Sequence, residues 1–267
     1  MFEENRDLAW RLRFGTAPPE GTPELGALLT HRSVREYDAR EIPEATIAGL
    51  VAAAQSAATS SNLQLWSLVS VQDRSKRNTM ADLCGDQQQI RDAAWFFAFL
   101  ADHHRIRYAA EKSGQPAEGL DYTEFYTMAV IDAALAAERM VCAAESLGIG
   151  ICYIGGLRNN PAEIKQTLGL PMGVFGVFGL CLGWPKEPLT AEIKPRLSQD
   201  AVWFRETYNT EPNVAEYDER MREFYLEMKM RGDVSWSMRS ARRVGPNQLT
   251  GRQVLKGWLE EQGFNHR

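Results

Sequence analysis

Only four cysteines occur among the 267 residues, at positions 84, 142, 152 and 181, and no two of them form a Cys-x-x-Cys pair. That spacing excludes the usual zinc and redox-dithiol signatures. Cys142, Cys152 and Cys181 lie in apolar runs and read as buried core thiols. No uninterrupted apolar run approaches the roughly 18 residues that a spanning helix needs. The opening stretch, MFEENRDLAWRLRFG, has no apolar segment of signal-peptide type, so a cytoplasmic, reducing location is expected. Positive charge is not in excess. The net charge of -5 argues against a generally basic nucleic-acid or membrane-binding surface, and any anion site has to come from a local cluster. A Gly-x-Ser-x-Gly elbow, internal repeats and low-complexity tracts are missing. Gly148-Ile149-Gly150-Ile151-Cys152-Tyr153 starts like a dinucleotide fingerprint but has Tyr153 where the third glycine belongs. His103-His104 lacks a metal-spaced acidic or cysteine partner and reads as a polar surface pair, so no metal is expected.

What is present is an ordinary globular composition. Hydrophobic residues make up 44 % and charged residues 24 %, enough apolar material for one large domain or one domain with an appendage. Pro43-Glu44 opens a helical pattern whose apolar face is Ile47, Leu50, Val51 and Ala54. Residues 67–72 alternate like a strand, and Trp95 to Leu100 reads as a short buried one. Thr127 to Leu147 is a largely buried helix ended by Gly148. A further core strand lies between Leu170 and Trp184. Helices and strands do not alternate regularly, so an α+β layered fold fits better than a doubly wound sheet. Residues 205–267 are polar and helical in pattern, with one stripe of Tyr217, Met221, Phe224 and Tyr225. Within residues 227–256 stand seven cations, Lys229, Arg231, Arg239, Arg242, Arg243, Arg252 and Lys256, against only Glu227 and Asp233. A basic segment in an acidic chain needs an explanation, and its bland reading is a solvated helix with scattered cations.

Short constellations carry the chemistry. His31-Arg32-Ser33-Val34-Arg35 combines an imidazole, a hydroxyl and two guanidinium groups, whose forks match phosphate oxygens. Thr59-Ser60-Ser61-Asn62-Leu63-Gln64 offers hydroxyl and amide groups suited to the edge of a polar heterocycle. Tyr153-Ile154-Gly155-Gly156-Leu157-Arg158-Asn159-Asn160-Pro161 has paired glycines, where bare backbone N–H groups can meet a flat ring or a phosphate. Lys194-Pro195-Arg196 sets two cations about a rigid proline. Alone, each has a bland reading: a solvated basic turn, a helix end with its loop, a tight turn before a helix, a solvated connection.

Together, in this order and at this spacing, they resemble the flavin reductase P-like branch of the nitroreductase superfamily. That signature runs His-Arg-Ser-x-Arg, a Ser-rich loop ending in Leu-Gln, Tyr-Ile-Gly-Gly-Leu/Ile-Arg-Asn-Asn, Phe-Gly-Leu-Cys-Leu-Gly-Trp-Pro and Lys-Pro-Arg. The fourth element stands here as residues 178–185, and the resemblance covers roughly residues 25 to 267. It implies a central, mainly antiparallel sheet flanked by helices, in an intertwined homodimer. The implied division is an N-terminal extension over 1–24, an FMN-binding core over 25–204 and a C-terminal excursion over 205–267.

The resemblance also implies site residues. His31, Arg32, Ser33 and Arg35 are FMN contacts, with Arg32 and Arg196 on the phosphate and Lys194 in the same cluster. Thr59, Ser60, Ser61 and Gln64 form the hydroxyl loop, with Thr59 where a serine is usual. Gln87 reaches the isoalloxazine edge. Ile154, Gly155 and Gly156 form the backbone strip at the reactive side, and Tyr153 and Leu157 beside them are further cofactor contacts. No side chain is a covalent catalyst, because the chemistry belongs to the flavin. In relatives a C-terminal excursion near a Thr-Trp or Ser-Trp step binds the nicotinamide phosphates. Ser235-Trp236 with Lys229, Arg231, Arg239, Arg242 and Arg243 matches it in kind. It departs in detail, because an arginine usual soon after the Tyr-Leu pair falls near Met228 here, with Lys229 adjacent. Lys229, Arg231 and Arg239 are the implied nicotinamide contacts, and NADPH is the expected reductant, with NADH as the alternative. The implied activity is ping-pong reduction of nitroaromatics, quinones or free flavins. Its rivals are a flavin reductase dedicated to a partner monooxygenase, and a non-catalytic flavin-binding sensor. Nucleic-acid and membrane partners are not expected.

Overall fold

The computed structural model describes residues 6–230, 232, 234–264 and 267. Arg231 lies outside them. In chain order the helices are α1 (Arg6–Phe14), α2 (Gly26–Leu29), α3 (Glu44–Gln55), α4 (Arg74–Leu83), α5 (Gln88–Asp92), α6 (His104–Lys112), α7 (Thr123–Ser146), α8 (Pro161–Leu168), α9 (Ala215–Glu227), α10 (Trp236–Arg243) and α11 (Leu255–Glu261). The strands are β1 (Trp66–Ser70), β2 (Trp95–Asp102), β3 (Gly150–Ile154) and β4 (Val174–Gly183). The chain forms two compact units. One combines the chain up to Arg32 with Ala191–Leu249, and the other combines Ser33–Thr190 with Thr250–Arg267. The division at residues 24 and 204 cuts across both.

The second unit is α+β. Its sheet has the order β1-β2-β4-β3 with every pair antiparallel, and β2 pairs with β4 from Trp95↔Leu182 to Asp102↔Val174. The apolar run at Trp95 becomes β2 because it is covered on both faces: every residue after Trp95 is buried. Helix α7 packs on α3 and on the sheet. Five of its eight buried residues are alanine (Ala129, Ala133, Ala136, Ala137, Ala144), beside Asp132, Met140 and Val141, which lets the long helix approach closely. Leu147 follows it and Gly148, at φ +77°, turns the chain back into β3, as a left-handed residue after a helix commonly does. The amphipathic reading of α3 holds for Ile47, Leu50 and Ala54, while Val51 is half-buried.

Two expectations need correction. His103 is not a surface residue: it is fully buried, with its ring 4.6 Å from that of Phe264. Burial pushes its imidazole pKa below the usual value. Only His104 is exposed, as the first residue of α6. Cys142 is not a core thiol but half-buried on the outer side of α7, with its Sγ 3.9 Å from Glu138. Cys152 and Cys181 are buried cross-strand partners; Cys84, at the end of α4, is also buried, and burial pushes its thiol up to about 12.

In the first unit, α9 buries Tyr217, Met221 and Tyr225 on one stripe, with Phe224 half-buried. Leu197 and Trp236 pack against that stripe. The N-terminal stretch is not merely a polar lead-in, because α1 buries Ala9, Trp10 and Arg13. Among the described residues no helix is long and apolar enough to cross a membrane.

Candidate functional site

In the second unit, β3 ends at Ile154 and the chain tightens into a 3-10 turn over Gly155–Arg158. Gly156 is buried against the end of α4. A Cβ there would stand 2.2 Å from the Cys84 carbonyl oxygen and 2.8 Å from Gln87 Nε2. Gln87 Nε2 donates to that carbonyl at 2.8 Å, and Gln89 Nε2 donates to Gln87 Oε1 at 2.7 Å, which fixes the amide of Gln87. Gln87 and the Gly-Gly strip, 69 residues apart in sequence (156 minus 87), are therefore brought together. Gly155 differs. A Cβ there would meet only Arg158 Nη2 at 3.6 Å and Arg252 Nη2 at 4.0 Å. Only Gly155 thus leaves backbone half-exposed, beside two guanidinium groups, and Arg252 is held by donating to Asn159 Oδ1 at 2.9 Å. Ile154 and Leu157 point into the core. Tyr153 keeps 36 % of its surface exposed and donates its hydroxyl to Glu138 Oε2 at 3.0 Å. Desolvation and that carboxylate hold its phenol pKa well above the usual value.

The hydroxyl loop has an unusual backbone. Ser61, Asn62 and Gln64 all have positive φ (51°, 55° and 51°), a region costly for side-chain-bearing residues. A buried carboxylate braces it. Asp132, fully buried on α7, accepts the Ser60 N–H at 2.9 Å and the Leu65 N–H at 3.0 Å, one at each end of the loop. Arg105 Nη1 adds a bond to the Gln64 carbonyl at 3.0 Å. Thr59 and Ser60 are half-buried, whereas Ser61 and Gln64 are exposed. Asp132 was not found from the sequence, although an acid among Ala129, Ala133 and Ala136 was its signal. Ser33 and Val34 lie beside β3, with the Val34 N–H donating to the Ile151 carbonyl at 2.8 Å, and leave Arg35 exposed.

The remaining cations lie in the first unit. Arg32 is 6 % exposed, with Nε donating to the Thr30 carbonyl at 3.2 Å and Nη1 to that of Ala191 at 3.5 Å. His31 is half-buried, and Lys194 and Arg196 are exposed. Arg13, also missed in the sequence, is 5 % exposed and donates to the carbonyls of Leu29 (2.9 Å), Lys194 (2.8 Å) and His31. A groove of about 450 Å³ is lined by Lys194, Tyr217, Tyr225, Trp236, Arg239 and Arg243, among others. The Arg239 guanidinium sits 4.3 Å above the Tyr225 ring. Lys229 is exposed beyond the end of α9, at φ +50°, and does not line that groove.

With this geometry in place, the comparisons identify the chain. Residues 28–184 match the model of the nitroreductase family, and residues 194–267 match that of the nitroreductase family C-terminal domain. The chain is 36 % identical over 248 residues to an FMN reductase (NADPH) of Bacillus subtilis (strain 168), covering 90 % of this chain and 98 % of that one. It is 36 % identical over 207 residues to an oxygen-insensitive NADPH nitroreductase of Salmonella typhimurium, covering 77 % and 83 %. The solved structure of a nitroreductase from B. subtilis superimposes with a TM-score of 0.85 at 35 % identity, over 90 % of this chain and 98 % of that one. The chain belongs to the nitroreductase family.

Proposed function

We propose that the chain is an FMN-dependent oxidoreductase that takes hydride from NADPH and passes it to nitroaromatic, quinone or free flavin acceptors. Family membership and relatives known as FMN reductase (NADPH) and oxygen-insensitive NADPH nitroreductase support this. The observation that carries it is the strip at Gly155-Gly156. There the sheet end leaves the backbone of Gly155 half-exposed, Gly156 packs beneath it on the fixed Gln87 amide, and two arginines raise the local potential. Those donors suit a flat heterocycle that becomes negative on reduction. When bound, the flavin supplies the two-electron chemistry. Arg158 and Arg252 stabilise negative charge beside the strip. The hydroxyl loop from Thr59 to Ser61, with Gln64, supplies polar contacts. His31, Arg32, Lys194 and Arg196 are the cations assigned to a phosphate, and Ser33 and Arg35 add a hydroxyl and a further charge. Lys229, Arg231 and Arg239 are assigned to the nicotinamide cofactor.

The test is optical. Purified protein is expected to be yellow, and its visible flavin absorbance to bleach when NADPH is added without oxygen and return with a nitroaromatic or quinone. Colour without bleaching would favour a flavin-binding sensor and overturn the reading.

We also propose a homodimer working in the cytoplasm. What supports the dimer is the outer face of α7, where Ile131 (47 % exposed) and Leu135 (44 % exposed) stand one turn apart. An exposed apolar pair on so long a helix fits a contact with a second copy. Leu135→Glu is expected to shift the light-scattering mass from dimer toward monomer. An unchanged dimer would remove this face from the interface, and a monomeric parent would refute the dimer.

A further inference from the structure

We propose that Arg13 is a positioning residue for the phosphate cluster: helix α1 acts as a strap that sets the backbone carrying His31, Lys194 and Arg196. This deepens the reading of an FMN site and rests on it.

Residues 6–27 lie outside both stretches that match the family models, which begin at residue 28. The stretch is nevertheless built into the first unit. Its helix buries a cation, and burying a guanidinium is expensive unless its donors are met. They are met by backbone. The fork donates to Leu29 at 2.9 Å, to Lys194 at 2.8 Å and to His31. One side chain thus ties together the segment that presents His31 and Arg32 and the segment that presents Lys194 and Arg196.

The main chain of the same residue completes the grip. The Arg13 carbonyl accepts the Arg196 N–H at 2.8 Å and Arg220 Nη1 at 2.9 Å. Arg220 Nη2 donates to the Arg196 carbonyl at 3.2 Å, and the Tyr217 hydroxyl donates to that of Pro195 at 3.3 Å. The Lys194 carbonyl, the Pro195 carbonyl and both polar groups of the Arg196 backbone are therefore held, while the Lys194 side chain stays exposed and the exposed Arg196 guanidinium also donates to the Lys194 and Pro195 carbonyls at 3.3 Å. Holding the backbone and leaving the charged ends outside is the arrangement a preformed anion site requires. A lysine cannot reproduce it, because three acceptors in different directions need the planar fork.

The test compares two flavins in the full-length apoprotein. FMN carries the phosphate; riboflavin has the same ring and ribityl chain without it. Dissociation constants for both are measured by quenching of flavin fluorescence in the parent, Arg13→Gln and Arg13→Lys, with circular dichroism to confirm folding. In Arg13→Gln the FMN affinity is expected to fall about 10- to 100-fold, the range for losing one to two charge-assisted contacts, with riboflavin affinity held within about threefold. Arg13→Lys is expected to lie between parent and Arg13→Gln on the FMN-to-riboflavin ratio. If Arg13→Gln does not fold, the ratio in Arg13→Lys decides. An unchanged ratio in the folded variants, or equal losses for both flavins, would overturn the strap. A parent that binds neither flavin would instead overturn the FMN reading, and the strap with it.

Discussion

Gly156→Ala is expected to yield a destabilised protein that has lost its flavin, while Gly155→Ala beside it stays folded. The difference is steric. At Gly156 the added methyl would lie 2.2 Å from the Cys84 carbonyl oxygen, which is backbone and cannot swing aside. The turn or the end of α4 must then move by about 1 Å, and overpacking of this kind costs about 3 kcal/mol or more. The shift also displaces Gln87, whose Nε2 would sit 2.8 Å from the methyl, so flavin affinity should fall at least about tenfold in any protein that folds. At Gly155 the nearest atom is an arginine tip at 3.6 Å, an ordinary contact, and stability should change little. Thermal unfolding and the ratio of flavin to protein absorbance, measured for both variants, check this. Equal Tm values for the two alanine variants would mean that the turn is not packed as described.

Asp132→Ala should unbrace the hydroxyl loop. Its carboxylate satisfies the N–H groups of Ser60 and Leu65, at the two ends of a segment whose backbone is already strained at Ser61, Asn62 and Gln64. Leaving both donors without that acceptor costs about 3 kcal/mol, a fall in Tm of roughly 6–10 °C for a chain of this size. Asp132→Asn should recover less than half of that. Its amide has one acceptor oxygen, and its NH₂ faces an N–H where an acceptor is needed. Flavin binding in Asp132→Asn should weaken, with faster exchange of amide protons confined to residues near the loop. A Tm equal to that of the parent in both variants would show that the loop holds its shape unaided.

The parts of this molecule legible in the sequence are those encoded locally. Ile47, Leu50 and Ala54 share one helical face, and Gly148 stops α7, because periodicity and left-handed glycine act over a few residues. The five signature segments could be placed for the same reason, each being contiguous. What escaped notice depends on distant partners. Asp132 binds Ser60, 72 positions away, and Arg13 binds Lys194, 181 positions away. A single charge in a helical pattern reads as solvent-facing until its acceptors or donors are known. His103 misled for a related reason. Beside His104 it looked like half of a polar pair, but it follows the last residue of β2 and its ring is carried into the core beneath Phe264. The edges of β1 and β4 shifted by a few residues because alternation does not mark where a ladder starts.

The first unit is assembled from two segments far apart in the chain, the stretch up to Arg32 and Ala191–Leu249, and this has a consequence for the order of events during synthesis. When a ribosome has delivered α1 and the segment to Arg32, two of the three carbonyls that Arg13 will engage, those of Leu29 and His31, already exist, but Lys194, 181 positions beyond Arg13, has still to be made. The intervening Ser33–Thr190 stretch holds all four strands and α7, and it emerges without interruption. Helix α1 has nine residues, too few to persist alone in water, so it waits as unstructured chain. The contacts of Arg13 are therefore completed only after most of the polypeptide has left the exit tunnel, so that this part of the first unit forms late in synthesis.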